Sequence, residues 1–202
     1  MTDVSELTIK QIRNEILKFK NDPVAQKLSD YYTKKSIGEI YGNSRKELTH
    51  SSFIGWLLNP KESHGLGSIP LKKFMEIMVV CSREKDFEHH RELFDAVITG
   101  DFSLLDTEVV LENSIPGVGR LDLYIETIVK TSQWSRPVRI IVENKVQSRE
   151  HSDQTNSYSN YFLNDTANGI ETLFVFLTAI SGVELAELHE KQEVQCASDD
   201  FI

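Results

Sequence analysis

Cysteine is scarce in this chain: Cys81 and Cys196 are the only two among 202 residues. A pair so far apart in sequence makes no disulfide framework and suits a reducing compartment such as the cytoplasm. No Cys-x-x-Cys or His-x-x-x-His spacing accompanies them. His89 and His90 are adjacent and would point about 100° apart on a helix, so with Cys81 they do not read as a zinc site. Long apolar runs are missing as well. The N-terminus carries Asp3 and Glu6 in place of an apolar signal core, and no later stretch approaches a membrane span. Bases are in the minority, 22 Lys and Arg against 31 Asp and Glu, for a net charge of −9. That argues against indiscriminate nucleic-acid binding by the whole surface. No helix-turn-helix or zinc-finger pattern supplies a sequence-reading element.

What is present suits one core. At 40% hydrophobic and 26% charged, the chain is long enough for a single domain with a real interior and a helical appendage. Its charge is uneven. From Ile115 to Glu150 the bases Arg120, Lys130, Arg136, Arg139, Lys145 and Arg149 outnumber the acids Asp122, Glu126, Glu143 and Glu150. Glu184 to Asp200 holds six acids against Lys191 alone, a segment that repels phosphate. A locally basic cleft on an acidic protein is one reading, and a solvated scatter of charge is the other.

Two stretches carry the chemistry. Leu121, Leu123 and Ile125 alternate with Asp122, Tyr124 and Glu126, the period of a half-buried strand. Val138 to Val142 is a β-branched run that ends in Glu143-Asn144-Lys145. Side chains on a strand repeat with period two, so Glu143 and Lys145 share a face with Ile141. The connection from Thr127 to Pro137 can return the chain antiparallel and set Asp122 opposite Glu143. Two acids and a lysine suit metal-assisted hydrolysis of a phosphodiester. Hard carboxylate oxygens hold Mg²⁺ (or Mn²⁺) and leave it positions for water and substrate phosphate, while the lysine orients the attacking water or offsets charge on the phosphate. An acid-x-Lys triplet is also common by chance, and a solvated strand-end salt bridge contributing ~0 to 1 kcal/mol accounts for the same residues. Asp122→Ala or Lys145→Ala is expected to abolish cleavage and leave the fold intact, because both sit at strand ends.

Asp122 followed by Glu143-Asn144-Lys145 at the end of a hydrophobic strand resembles the PD-(D/E)XK nuclease superfamily. Gly119-Arg120-Leu121-Asp122 resembles the Gly-x-x-Asp first motif of its RecB-like and lambda-exonuclease-like members, with Leu121 where the motif's name has proline. Gln154-Thr155-Asn156-Ser157-Tyr158 resembles the Gln-x-x-x-Tyr helix that follows the lysine strand there. The resemblance spans Ser44 to Thr178. It implies an αβββαβ core, metal ligation by Asp122 and Glu143 with Glu47 as a further acid from the preceding helix, and a nucleic-acid substrate, DNA before RNA. Lys145 would assist the attacking water, and Gln154 would complete the site. A prokaryotic setting of restriction, phage defence or repair goes with it.

The flanks fill in this frame. Ile9, Ile12, Ile16 and Phe19 mark an amphipathic helix from about Ser5 to Lys20, and Pro23 starts a second one through Ala25, Leu28 and Tyr31 or Tyr32. Ser44-Arg45-Lys46-Glu47 reads as a capping box opening a helix to Leu58. Capping alone explains Glu47, as does a place in the site. His50, on the same face, either touches phosphate or water or is a buried, hydrogen-bonded histidine. Pro70 opens an apolar helix, and Glu84 to Ile98 reads as one charged helix closed by Gly100. Asp106 to Glu112 is a strand with Glu108 and Glu112 as reserve acids. From Ser148 to Phe162 a helix places Glu150, Gln154 and Tyr158 on one wet stripe suited to a cleft, with Gln154 and Tyr158 near substrate. Leu173 to Leu177 is a strand buried on both faces.

The expected fold is therefore α/β, a restriction-endonuclease-like αβββαβ core with a mixed sheet and extra N-terminal helices. Residues 1–42 form the helical appendage, 43–180 the nuclease-like domain, and 181–202 an acidic segment, helical from Val183 to Val194, that ends without a capped element as a fragment would. Arg120, His50, Gln154 and Tyr158 are the expected substrate contacts. A homodimer or a partner protein docked on the N-terminal helices is compatible with all this. A nuclease-fold binding module without turnover is the alternative from another functional class.

Overall fold

A computed structural model describes residues 18–19, 21–25, 27, 46–146, 153–164, 169–178, 196 and 198–202. The chain divides into two units, Met1–Ser44 and Arg45–Ile202. In the first, the Asp22 carboxylate accepts the Val24 and Ala25 N–H groups at 2.7 and 3.0 Å, capping a helical turn that Pro23 begins. The helix expected from Ser5 to Lys20 lies largely outside the described residues. So do Tyr31 and Tyr32, Ser44, Glu150 and the stretch Val183 to Val194.

The second unit is built on a mixed sheet of four strands. Helices α1 (Glu47–Leu58), α2 (Ile69–Cys81), α3 (Glu84–His89) and α4 (Arg91–Thr99) come first. Strands β1 (Ser103–Ile115), β2 (Gly119–Lys130) and β3 (Ser135–Lys145) follow as an antiparallel meander, then α5 (Gln154–Asn164) and β4 (Glu171–Thr178). The sheet order is β1-β2-β3-β4, and β4 lies parallel to β3. This is the expected αβββαβ order. Alternation sends Leu123, Ile125, Ile140, Val142, Leu173 and Val175 into a core with Leu58 of α1, Leu71 and Met75 of α2, and Leu93 and Phe94 of α4. Ile141 and Phe174 join Leu121, Tyr158 and Phe162 in a second, smaller core beneath α5. Central strand β3 is buried from Val138 onward, its charged end included.

Several boundaries differ from the sequence reading, each for a local reason. Strand β2 runs on to Lys130 and β3 begins at Ser135, so the connection is a short turn in which the Thr131 N–H donates to the Trp134 carbonyl at 2.8 Å. The single helix expected over Glu84 to Ile98 is two, because His90 adopts φ −109 ψ 23 and its Nδ1 lies 2.8 Å from Glu171 Oε1 of β4. Edge strand β1 carries a bulge between Leu105 and Glu108, with Asp106 at φ 51. Of the acidic segment expected over 181–202, only Cys196 and Ser198 to Ile202 are among the described residues. Phe201 is 4% exposed and joins the smaller core, and Ile202 exchanges main-chain hydrogen bonds of 2.9 Å with Phe174 and Phe176 along the edge of β4.

Candidate active site

The site forms where β2 begins and β3 ends. The β2–β3 register pairs Leu123 with Val142, and its next step sets Asp122 opposite Glu143. On the other side, Leu111 pairs with Leu123 and Asn113 with Leu121, so Glu112 of β1 falls opposite Asp122. Three adjacent strands thus carry one row of carboxylates: Glu112, Asp122 and Glu143. Like charges directly opposite one another are unfavourable, and two ion pairs temper the row. Lys145 Nζ lies 2.6 Å from Glu143 Oε1, and Arg120 Nε lies 2.8 Å from Glu112 Oε2. The first pair is buried, with side chains 7% and 1% exposed, whereas Arg120 is largely in solvent. The solvated strand-end salt bridge that the sequence allowed is therefore not what Glu143 and Lys145 form.

Asp122 is half-buried, and its Oδ2 accepts the Asn144 N–H at 2.8 Å. Burial pushes its carboxyl above the ordinary aspartate range, the charges of Glu47 and Glu112 add to this, and the Asn144 bond and Lys145 oppose it. For Lys145, burial alone would lower the pKa. The Glu143 hydrogen bond and the charges of Glu143, Glu47 and Asp122 outweigh it, and the ammonium is held above its usual value. Lys145 is thus protonated at neutral pH, a donor and a charge rather than a base.

Helix α1 delivers Glu47. Its N-cap is Lys46, in an extended conformation and without a side-chain cap bond, and Ser44 of the expected capping box lies outside the described residues. Glu47 is consequently the first helical residue, and its Oε1 accepts the Val146 N–H at 3.3 Å just beyond β3. Gly55 lets α1 approach the sheet, since a Cβ there would lie 3.0 Å from the Leu111 side chain and 3.2 Å from that of Leu123. His50 stands three residues on from Glu47, partly exposed.

Across the sheet, α5 places Gln154 and Tyr158 beside the start of β2. The Tyr158 hydroxyl donates to the Arg120 carbonyl at 2.7 Å and receives the Gln154 amide N–H. Gly119 belongs to this contact. At φ +149 it occupies a backbone region that L side chains rarely adopt, and a Cβ on it would lie 3.2 Å from Tyr158 Oη. Tyr158 is 0% exposed, and its enclosed phenol holds the β2 strand start, a structural place where the sequence reading expects a substrate contact. Of the wet stripe read from Glu150, Gln154 and Tyr158, Gln154 is partly exposed and Tyr158 is buried, while Glu150 lies outside the described residues.

A sequence profile of the PD-(D/E)XK nuclease superfamily matches residues 37–197. The chain belongs to the PD-(D/E)XK nuclease superfamily. Its members are generally nucleases, hydrolases that typically use divalent metals on a nucleic-acid substrate. No curated protein matches the chain.

Whether this PD-(D/E)XK site suits a divalent cation turns on its donors. Asp122 feels the charges of the carboxylates Glu47 and Glu112, with Lys145 as the balancing buried charge, and burial and these acids already disfavour its ionised form. Asp122 Oδ1 has no hydrogen-bond partner among the described residues, which leaves it able to face a cation. The donor set fits a hard ion in kind, as one or two protein carboxylates with water and phosphate filling the rest. It is not a finished cage. Among the described residues no group of three His, Cys, Asp or Glu stands at metal-holding spacing, so Glu47, Asp122 and Glu143 are not gathered as the three ready ligands that the sequence reading grouped. The reason is local, since Glu47 is turned to the Val146 N–H and Glu143 to Lys145.

The structure also gives partners to residues to which the sequence reading gave no role. Asn144 is the middle residue of the Glu143-Asn144-Lys145 triplet. Its Nδ2 donates to Ser51 Oγ at 3.0 Å and to the Glu47 carbonyl at 3.3 Å. Of the two reserve acids, Glu112 stands beside Asp122, whereas Glu108 pairs across from Glu126, away from the site.

Proposed function

We propose that this protein is a divalent-cation-dependent nuclease that hydrolyses phosphodiester bonds of DNA. Asp122 and Glu143 supply oxygens to Mg²⁺ or Mn²⁺, and Glu47 adds a third acid from α1. The observation that carries this reading is the buried Lys145–Glu143 pair at 2.6 Å, on the strand end next to Asp122. A lysine so placed is costly to the fold unless its charge is used.

Lys145, held protonated, donates to the attacking water or to a non-bridging phosphate oxygen and offsets the charge that builds there. Gln154, partly exposed at the start of α5, is a second donor toward that phosphate. Arg120 exchanges Glu112 for a backbone phosphate, and His50 lies along the same approach. A divalent cation, when bound, adds Lewis-acid stabilisation of the same charge. Restriction, phage defence or repair in a prokaryotic cytoplasm is the setting such chemistry suits. Among the described residues no helix is long and apolar enough to cross a membrane.

One observation favours a second reading, a nuclease-fold module that binds without turnover: the acids are not gathered at metal-holding spacing. Labelled DNA and RNA substrates with Mg²⁺, Mn²⁺ or EDTA separate the two. Metal-dependent cutting by the wild type that disappears in Lys145→Ala supports the enzyme. A folded protein that cuts nothing under any metal sinks it.

A further inference from the structure

Asn144 faces away from its two neighbours in the Glu143-Asn144-Lys145 triplet. Period-two alternation sends Glu143 and Lys145 to one side of β3 and Asn144 to the other, against α1. There Asn144 and Ser51 are each 1% exposed, and the Asn144 Nδ2 donates to Ser51 Oγ at 3.0 Å and to the Glu47 carbonyl at 3.3 Å. A carbonyl can only accept, so the Glu47 oxygen fixes which end of the amide is nitrogen. The main-chain N–H of the same residue donates to Asp122 Oδ2 at 2.8 Å. One residue therefore grips Asp122 of β2 with its backbone and the first turn of α1 with its side chain.

The other end of the amide makes this more than packing. Asn144 Oδ1 is buried with no hydrogen-bond partner among the described residues. A half-paired buried amide is a net cost to a fold, and an apolar side chain of similar size would fill the same space without it. Helix α1 needs an anchor at that point, because Lys46 provides no side-chain cap.

We propose that Asn144 is a positioning residue of the active site, the clamp that sets where Glu47 stands relative to Asp122 and Lys145. This rests on the reading of the site as that of a metal-dependent nuclease. Substituting the side chain leaves the backbone bond to Asp122 in place, so the loss should fall on Glu47.

The test is Mn²⁺ titration calorimetry on the full chain without nucleic acid, beside cleavage over a Mg²⁺ series and thermal unfolding. The proteins are wild type, Asn144→Ala, Ser51→Ala, Glu47→Gln and each of the first two variants combined with Glu47→Gln. Asn144→Ala is expected to weaken Mn²⁺ binding, and to raise the Mg²⁺ needed for half-maximal cleavage, by about 10- to 100-fold, with Ser51→Ala smaller. Neither should add much to Glu47→Gln, since positioning a carboxylate that is gone has no further effect. Amide exchange at Thr49 and His50 should speed up in Asn144→Ala while that of α2 stays unchanged. Losses that multiply in the double variants, or single variants with wild-type Mn²⁺ affinity, overturn the proposal. If Asn144→Ala does not fold, Ser51→Ala decides by the same comparison, because it removes only one acceptor. A wild type that neither binds Mn²⁺ nor cuts sinks the nuclease reading and this proposal with it. A wild type that does both while its variants match it sinks the proposal alone.

Discussion

Lys145 Nζ and Glu143 Oε1 lie 2.6 Å apart, and almost none of either side chain meets solvent. Removing one partner of a buried pair strands the other. Lys145→Ala is therefore expected to abolish cleavage and also to lower stability by about 3 kcal/mol, where strand-end placement alone suggested an intact fold. Combining Lys145→Met with Glu143→Gln should recover much of the stability and none of the activity. Chemical denaturation of the single and double variants, run beside a cleavage assay, checks both halves.

Asp122 should behave oppositely. Its carboxyl is held above the ordinary range, so the folded chain keeps this proton over a pH window in which the unfolded chain, near the usual value of about 3.9, has lost it. Stability from that difference is present below the window and declines as pH rises through it. Asp122→Asn removes the decline and should match or exceed the wild type in thermal stability at neutral pH while cutting nothing. A melting temperature at or above wild type with full activity would count against the assigned role.

Tyr158 offers a test at the alkaline end. Burial, with the charges of Glu143 and Asp122, pushes its phenol up to about 12, although the Gln154 bond opposes this. The protonated form is favoured in the fold, so its stability contribution is complete below about pH 10 and lost as pH rises through the folded value. Tyr158→Phe should cost about 1 kcal/mol at neutral pH through the lost bond to the Arg120 carbonyl. It should also lose less stability than the wild type between neutral pH and strongly alkaline pH. Urea midpoints across that range show whether the two curves converge.

Phe201 sits in the smaller core at 4% exposure, its ring tilted 38° to that of Phe174 with centroids 5.2 Å apart. Phe201→Ala is expected to destabilise the protein by about 3 kcal/mol. Arg83 Nη2 also holds the Asp199 and Phe201 carbonyls, at 2.6 and 2.7 Å, so Arg83→Ala should weaken the same attachment to a smaller extent. Equilibrium unfolding of the two variants ranks them.

The strands and the Glu143–Lys145 face were legible because a strand repeats every second residue, and that period needs no tertiary information. The same period also sends Asn144 to the opposite face, but its meaning lay in Ser51, 93 residues away, which no local pattern reveals. Helix limits were less legible. Ser44 to Glu47 has the composition of a capping box, yet the helix starts at Glu47, whose carboxylate reaches Val146. Glu84 to Ile98 has continuous helical character, and the break at His90 goes with a bond to Glu171, 81 residues on. Phe201 looked like the end of an acidic tail because its strand partner, Phe174, is equally beyond local reach.

The bulge at Asp106 bears on how copies of this protein can meet. A regular outer strand of 13 residues would present an unbroken rim of unpaired amides and carbonyls, a template on which another chain could crystallise into the sheet. The extra residue divides that rim and twists it, while on the opposite rim Phe201 and Ile202 occupy the stretch beside Phe174 and Phe176. Strand addition is thereby disfavoured along part of each margin, at the bulge on one side and beside Phe174 to Phe176 on the other.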